Sequence, residues 1–192
     1  MKERKETISP LKMNLLSFVL LFIAAVVCGG LYVLALYLNL NDSFSKDSVI
    51  NNIHQNINFL WLSISIIFGL FVHELIHAAV AVIFAKNGFK SINFGAKDMT
   101  LYCHCSDPLK VKEYTIVLLA PLVIMGIIPA IVGIVILNPN WVLFGIVFIA
   151  GAMGDIMVAW RIRKENPENT ILDHPSEPGY LVYEPEEDEV KE

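Results

Sequence analysis

Four stretches of this chain, residues 15–38, 60–85, 114–137 and 141–160, contain almost no charge. Their Asp, Glu, His, Lys and Arg residues are His73, Glu74, His77 and Asp155, with no others. Each run is long enough to cross the roughly 30 Å hydrocarbon layer as a helix rising about 1.5 Å per residue. Lipid offers no hydrogen bonds, so a spanning segment must satisfy its own backbone, which a helix does. The expected fold is an all-α polytopic membrane protein with about four transmembrane helices. Composition agrees: 55 % of the residues are hydrophobic and mean hydropathy is +0.58, more apolar than most soluble domains.

The first run follows Lys2, Arg4, Lys5 and Lys12, which resembles the start of a signal peptide. It is too long for a signal core and lacks a small-residue cleavage site, so it reads as an uncleaved span. Pro121 and Pro129 interrupt the third run. A proline inside a helix removes a backbone bond, which predicts a broken or partly re-entrant third span that could serve as a gate.

The connectors differ in character. Residues 39–58 are Asn-rich, with a short helix expected near Ser48–Asn56 and His54 on a solvated surface. Residues 86–113 carry five lysines. Within them Lys90–Phe94 and Thr100–His104 alternate like strands around a Gly95–Met99 turn, which predicts a small β-hairpin. Residues 165–192 hold ten acids against one lysine, along with several prolines. The expected organisation is one integral membrane domain over residues 1–163 and an irregular acidic tail over 164–192.

Lysine and arginine mark orientation. The N-terminal segment has four, the 86–113 loop five and the exit of the fourth run three, whereas residues 39–58 have one. The positive-inside rule then places both termini and the hairpin on the cytoplasmic side of a membrane. The net charge of −5 resides mostly in the tail, and nothing supports nucleic-acid binding. Cys28, Cys103 and Cys105 make an odd count that does not suggest a disulfide framework. Cys103-His104-Cys105 is a poor metal motif, because strand alternation sends His104 to the opposite face.

The second run contains His73-Glu74-Leu75-Ile76-His77, an H-E-x-x-H pattern. On a helix, residues four apart share a face, so both imidazoles can reach one metal ion. Glu74, beside them, is the candidate general base, and zinc is the expected cofactor. Ionisable groups at membrane depth are expensive and mark function. The competing reading is a polar cluster that merely bonds neighbouring helices.

A catalytic zinc takes three protein ligands and keeps one open position. Asp155 is the only other intramembrane carboxylate and lies at a similar depth, so it is the candidate third ligand. Ala150, Gly151, Ala152 and Gly154 would let its helix approach the second one, as would Gly69 and Ala81 from the other side. Asp98, His104, Asp107 and Glu113 remain rival ligands.

These motifs resemble the small zincin-type membrane metallopeptidases of bacteria, a group first catalogued as an uncharacterised domain family and related to the site-2 protease class. The residues carrying the resemblance are His73-Glu74-Leu75-Ile76-His77-Ala78, Ala120-Pro121 and Gly154-Asp155-Ile156, within about residues 60–163. Site-2 proteases usually set the ligand Asp before Gly; here Ile156 follows. The resemblance implies a zinc peptidase in a bacterial cytoplasmic membrane, acting in or beside the bilayer on another membrane protein. A catalytically idle scaffold of the same fold and a metal-ion transporter are the alternatives.

Overall fold

The computed structural model describes residues 2–40, 43–97, 100–174 and 178–185. The chain runs β1 (Lys2–Thr7), α1 (Pro10–Leu40), α2 (Lys46–Asn56), α3 (Phe59–Phe84), a 3-10 turn (Gly88–Ser91), β2 (Ile92–Lys97) and β3 (Thr100–Cys105). It continues through β4 (Leu109–Lys110), α4 (Val111–Pro121), a π-helical segment (Leu122–Ile127), α5 (Ile128–Val135), α6 (Pro139–Gly151) and α7 (Met153–Ile162). β5 (Thr170–Asp173) and β6 (Gly179–Glu184) follow. The protein is mostly helical. α1, α3 and the continuous helical run Val111–Val135 are long and apolar enough to cross a membrane, and α6 with α7 makes a fourth if counted as one bent span.

The expected break is in the wrong helix. The third run stays helical through Pro121, whereas the fourth is divided at Ala152 into α6 and α7. After Pro121 the backbone widens into π-type bonding, with the Ile128 N–H donating to the Val123 carbonyl. The bond that Pro121 cannot make is lost, yet Val111–Val135 remains one helical span. At Ala152 the backbone leaves helical geometry between Gly151 and Gly154, residues with little helical preference of their own.

Two compact units emerge from the contacts: residues 1–15, 71–120 and 153–192 form one, and residues 16–70 and 121–152 the other. The first unit contains an antiparallel sheet ordered β1-β6-β5-β4 and a separate β2-β3 hairpin. The sheet corrects the expectation of an all-α chain with an irregular tail over 164–192. Thr170–Asp173 and Gly179–Glu184 are strands, and the basic N-terminal segment is their edge partner. Leu109, Ile171 and Val182 pair in one row across β4, β5 and β6, each at most 2 % exposed. Burial of such side chains contributes about 1.5–3 kcal/mol apiece. The row belongs to one core with Ile8 and with Val158, Ala159 and Ile162 of α7. Gly179 admits β1: at φ +153 its backbone suits glycine, and a Cβ there would lie 2.1 Å from the Glu6 carbonyl oxygen.

The hairpin forms where expected but with longer strands, pairing Ile92 with Cys105 and Lys97 with Thr100. Asp98 and Met99 of the expected turn lie outside the described residues.

In the second unit Ala24, Tyr32 and Leu36 of α1 pack with Val142 and Ile146 of α6. α5 and α6 touch almost backbone to backbone: a Cβ on Gly145 would lie 2.6 Å from the Ala130 nitrogen. The Asn-rich connector is ordered by its amides. Asn140 donates to the Asn56 carbonyl at 2.7 Å and accepts from the Asn58 N–H at 2.8 Å. α2 forms close to its expected position, started by a Ser45–Ser48 capping box.

Candidate metal centre

α3 sets His73 and His77 one turn apart, with their Nε2 atoms 3.2 Å from each other. Asp155, in the first turn of α7, places Oδ2 3.3 Å from His73 Nε2 and 3.6 Å from His77 Nε2. All three residues lie in the first unit. Zinc bonds of about 2.0–2.1 Å at tetrahedral angles require ligand atoms roughly 3.3–3.4 Å apart. The observed edges bracket that value, so these residues fit a zinc ion. Their chemistry fits as well, as two imidazoles and one carboxylate form a ligand type found in catalytic zinc sites. Among the described residues this is the one group of three or more His, Cys, Asp or Glu side chains that could hold a metal. The side chains are 13–21 % exposed, buried but within reach of water.

The His77 ring is held from behind by its Nδ1, 2.9 Å from the carbonyl oxygen of Val117 in α4. A carbonyl only accepts, so Nδ1 carries the proton. The neutral ring then offers its Nε2 lone pair to the triangle, the usual arrangement of a metal-binding histidine.

Glu74 lines a cavity of about 140 Å³ together with His77 and Asp155. Tyr114, Cys105 and Asp173 line the same cavity. Asp173, from β5, accepts hydrogen bonds from the Tyr114 hydroxyl and, at 3.5 Å, from the Cys105 backbone N–H. Its Oδ2 also lies 3.4 Å from His104 Nδ1. The hydrogen bond to Asp173 raises the His104 pKa above its ordinary value of 6.5. Burial pushes the Cys105 thiol up as well.

The rival third ligands among the described residues are engaged elsewhere. His104 is bound to Asp173. Asp107 accepts from Ser91 Oγ at 2.5 Å and from the Asn87 N–H at 3.0 Å, and the Ser91 bond is the chief cause of its lowered pKa. Glu113 caps α4 by accepting from the Lys110 N–H at 3.0 Å. Asp98 lies outside the described residues. Of the Cys103-His104-Cys105 motif, His104 meets Asp173 and Cys105 Sγ lies 3.5 Å from the Asp107 carbonyl oxygen. His54 sits in the last turn of α2, in the other unit.

The small residues before Asp155 work differently from expectation. A Cβ on Gly154 would meet Met13 of α1 at 2.8 Å, and one on Gly151 would meet nothing within 4 Å. Gly69 does permit the expected close approach of the second run to the fourth: a Cβ there would meet Phe148 of α6 at 2.4 Å. Sequence reasoning missed Asp173, Tyr114 and the Val117 carbonyl. Asp173 was hidden in acidic surroundings. Tyr114 begins the third apolar run, where a tyrosine is unremarkable.

The profile of a protein family described as "Putative zincin peptidase" matches residues 66–170, which is 105 of the 192 residues. The chain belongs to this family. No curated protein and no solved structure matches it. The match takes in the zincin-type helix, the hairpin and Asp155, and it stops at the first residue of β5. The zincin description points to a metallopeptidase with zinc as its metal. Asp173 and the β6 and β1 strands lie beyond the matched segment.

Proposed function

We propose that the protein is a zinc metallopeptidase of site-2 protease type that cleaves another membrane protein within or beside the bilayer. The observation that carries this reading is the His73–His77–Asp155 triangle, whose edges suit zinc, formed on helices apolar enough to be membrane spans. His73 Nε2, His77 Nε2 and Asp155 Oδ2 hold the ion. Bound zinc supplies a Lewis acid that acidifies water and offsets charge on the attacked carbonyl oxygen. Glu74 takes the proton of the attacking water and delivers it to the departing amine nitrogen. Its place in the same cavity supports that role.

A helical substrate hides its peptide bonds within its own backbone hydrogen bonding, so it enters locally unwound. The outer edge of β2, which pairs with β3 alone among the described strands, is suited to hold such a segment by strand addition. Both termini and the hairpin face the cytoplasm, following the lysine and arginine distribution.

Zinc analysis of the purified full-length protein tests the reading. About one zinc per chain is expected in wild type, with loss in both His73→Ala and Asp155→Ala. Retention in Asp155→Ala sends the search for the third ligand elsewhere. A wild-type protein that takes up no zinc on reloading overturns the enzyme reading and favours the scaffold.

A further inference from the structure

Pro121 stands where α4 gives way to the π-helical segment. In an unbroken α-helix the N–H of residue 121 would donate to the carbonyl of residue 117. Proline has no N–H to give. The Val117 oxygen is also the one that meets His77 Nδ1, at 2.9 Å. The helix therefore loses a backbone bond at the carbonyl that a candidate metal ligand uses. With no α-helical donor competing, that oxygen's acceptor capacity is open to the imidazole.

We propose that Pro121 is a positioning residue for the metal centre. By withholding an N–H from Val117, it leaves that carbonyl to hold His77 with its proton on Nδ1 and its Nε2 lone pair toward the triangle. This role rests on reading the triangle as a metal site. A neutral histidine without such a bond samples both tautomers, and the form protonated on Nε2 cannot bind metal through that atom. The π-helical segment follows Pro121 directly, and the run from Val111 to Val135 stays one helical span across the freed carbonyl.

The gating role expected of the prolines is not needed to explain Pro121. Pro129 provides the control, because it is the same kind of interruption farther along the same helical run, in the first turn of α5.

The test uses full-length protein in detergent, labelled with 15N-histidine and stripped of metal. His77, assigned by its loss in His77→Ala, is expected to carry its proton on Nδ1 in wild type. Pro121→Ala restores the N–H. It is expected to give a mixture of His77 tautomers and to weaken zinc binding, measured by chelator competition, by about tenfold or more. Pro129→Ala is expected to change neither.

The proposal is overturned if wild-type His77 carries its proton on Nε2. It is also overturned if folded Pro121→Ala keeps both the wild-type tautomer and the wild-type zinc affinity. Should Pro121→Ala fail to fold, Pro121→Ser restores the same N–H and carries the same comparison, and a wild-type proton on Nε2 overturns the proposal in either case. A wild type that binds no zinc overturns the metal reading and with it the role of Pro121. The tautomer measurement would then still show whether Val117 fixes the ring, so the two failures can be told apart.

Discussion

The metal-ligand end of the candidate site takes His77, Glu74 and Asp155 from helices that carry hardly any other charge. The polar end groups His104 and Tyr114 around Asp173; Asp173 and His104 come from segments crowded with polar residues, and Tyr114 from the first turns of α4. In an apolar run an ionisable group is conspicuous, because placing it there is costly without a partner or a task. In a polar segment the same group costs little to expose, so nothing in the sequence separates a structural aspartate from its neighbours. The two ends also differ in what holds them. The triangle depends on helix periodicity and one contact between helices. The Asp173 cluster depends on strand pairing between segments far apart in the chain.

The largest expected effect separates chemistry from binding within the first end. Glu74→Gln should lower cleavage by about 10²–10⁴-fold while zinc content stays at the wild-type level. The check is a comparison of membrane-protein N-termini in cells expressing wild type and variant, alongside zinc analysis of both proteins. Zinc lost together with activity would make Glu74 a ligand and break the division of roles.

Next comes the support beneath the second end. Ile171 is fully buried in the row that joins β4, β5 and β6. Ile171→Ala should destabilise the sheet by about 2–5 kcal/mol, seen as faster hydrogen exchange in β5 and β6. Undiminished zinc affinity in that variant would show that the ends are built independently; a parallel loss would show that the tail supports the triangle.

The smallest effect concerns pH. His104 has a raised pKa in the folded protein, caused first by its hydrogen bond to Asp173. A raised folded pKa means that the stabilisation is fully present below the unfolded value of 6.5 and is lost as pH rises through the folded value. The contact between β3 and β5 should therefore loosen as pH rises from 6.5. The pair is partly exposed, so solvent screening keeps the effect below about 1 kcal/mol. Hydrogen exchange at the Cys105 amide across this range should show it, and Asp173→Asn should flatten the dependence. A dependence that survives in Asp173→Asn would mean that another group titrates there.

The resemblance drawn from the H-E-x-x-H helix led to the right family, and the family match covers the segment that carries those motifs. The proline expectation failed for an instructive reason. A missing N–H at residue 121 is certain from sequence, but whether the helix kinks or widens depends on how its neighbours repack, and here it widened. The tail expectation failed because composition was averaged over a long segment. Four residues around Ile171 and six around Leu181 and Val182 are enough for two strands, and the acids around them obscure the pattern.

By itself the sequence determined the apolar helices, the shared face of His73 and His77, and the short list from which Asp155 stood out. Each follows from local periodicity and from the high cost of charge in an apolar run. Only the tertiary structure decided that Asp155 Oδ2 completes a triangle of zinc-like dimensions and that the Val117 carbonyl fixes His77. It also decided that the tail forms strands carrying Asp173 to the cavity, with Lys2 paired to Glu184 across nearly the whole chain. Helical geometry is set within a few residues, whereas strand partners and distances between side chains on different elements exist only once the chain has folded.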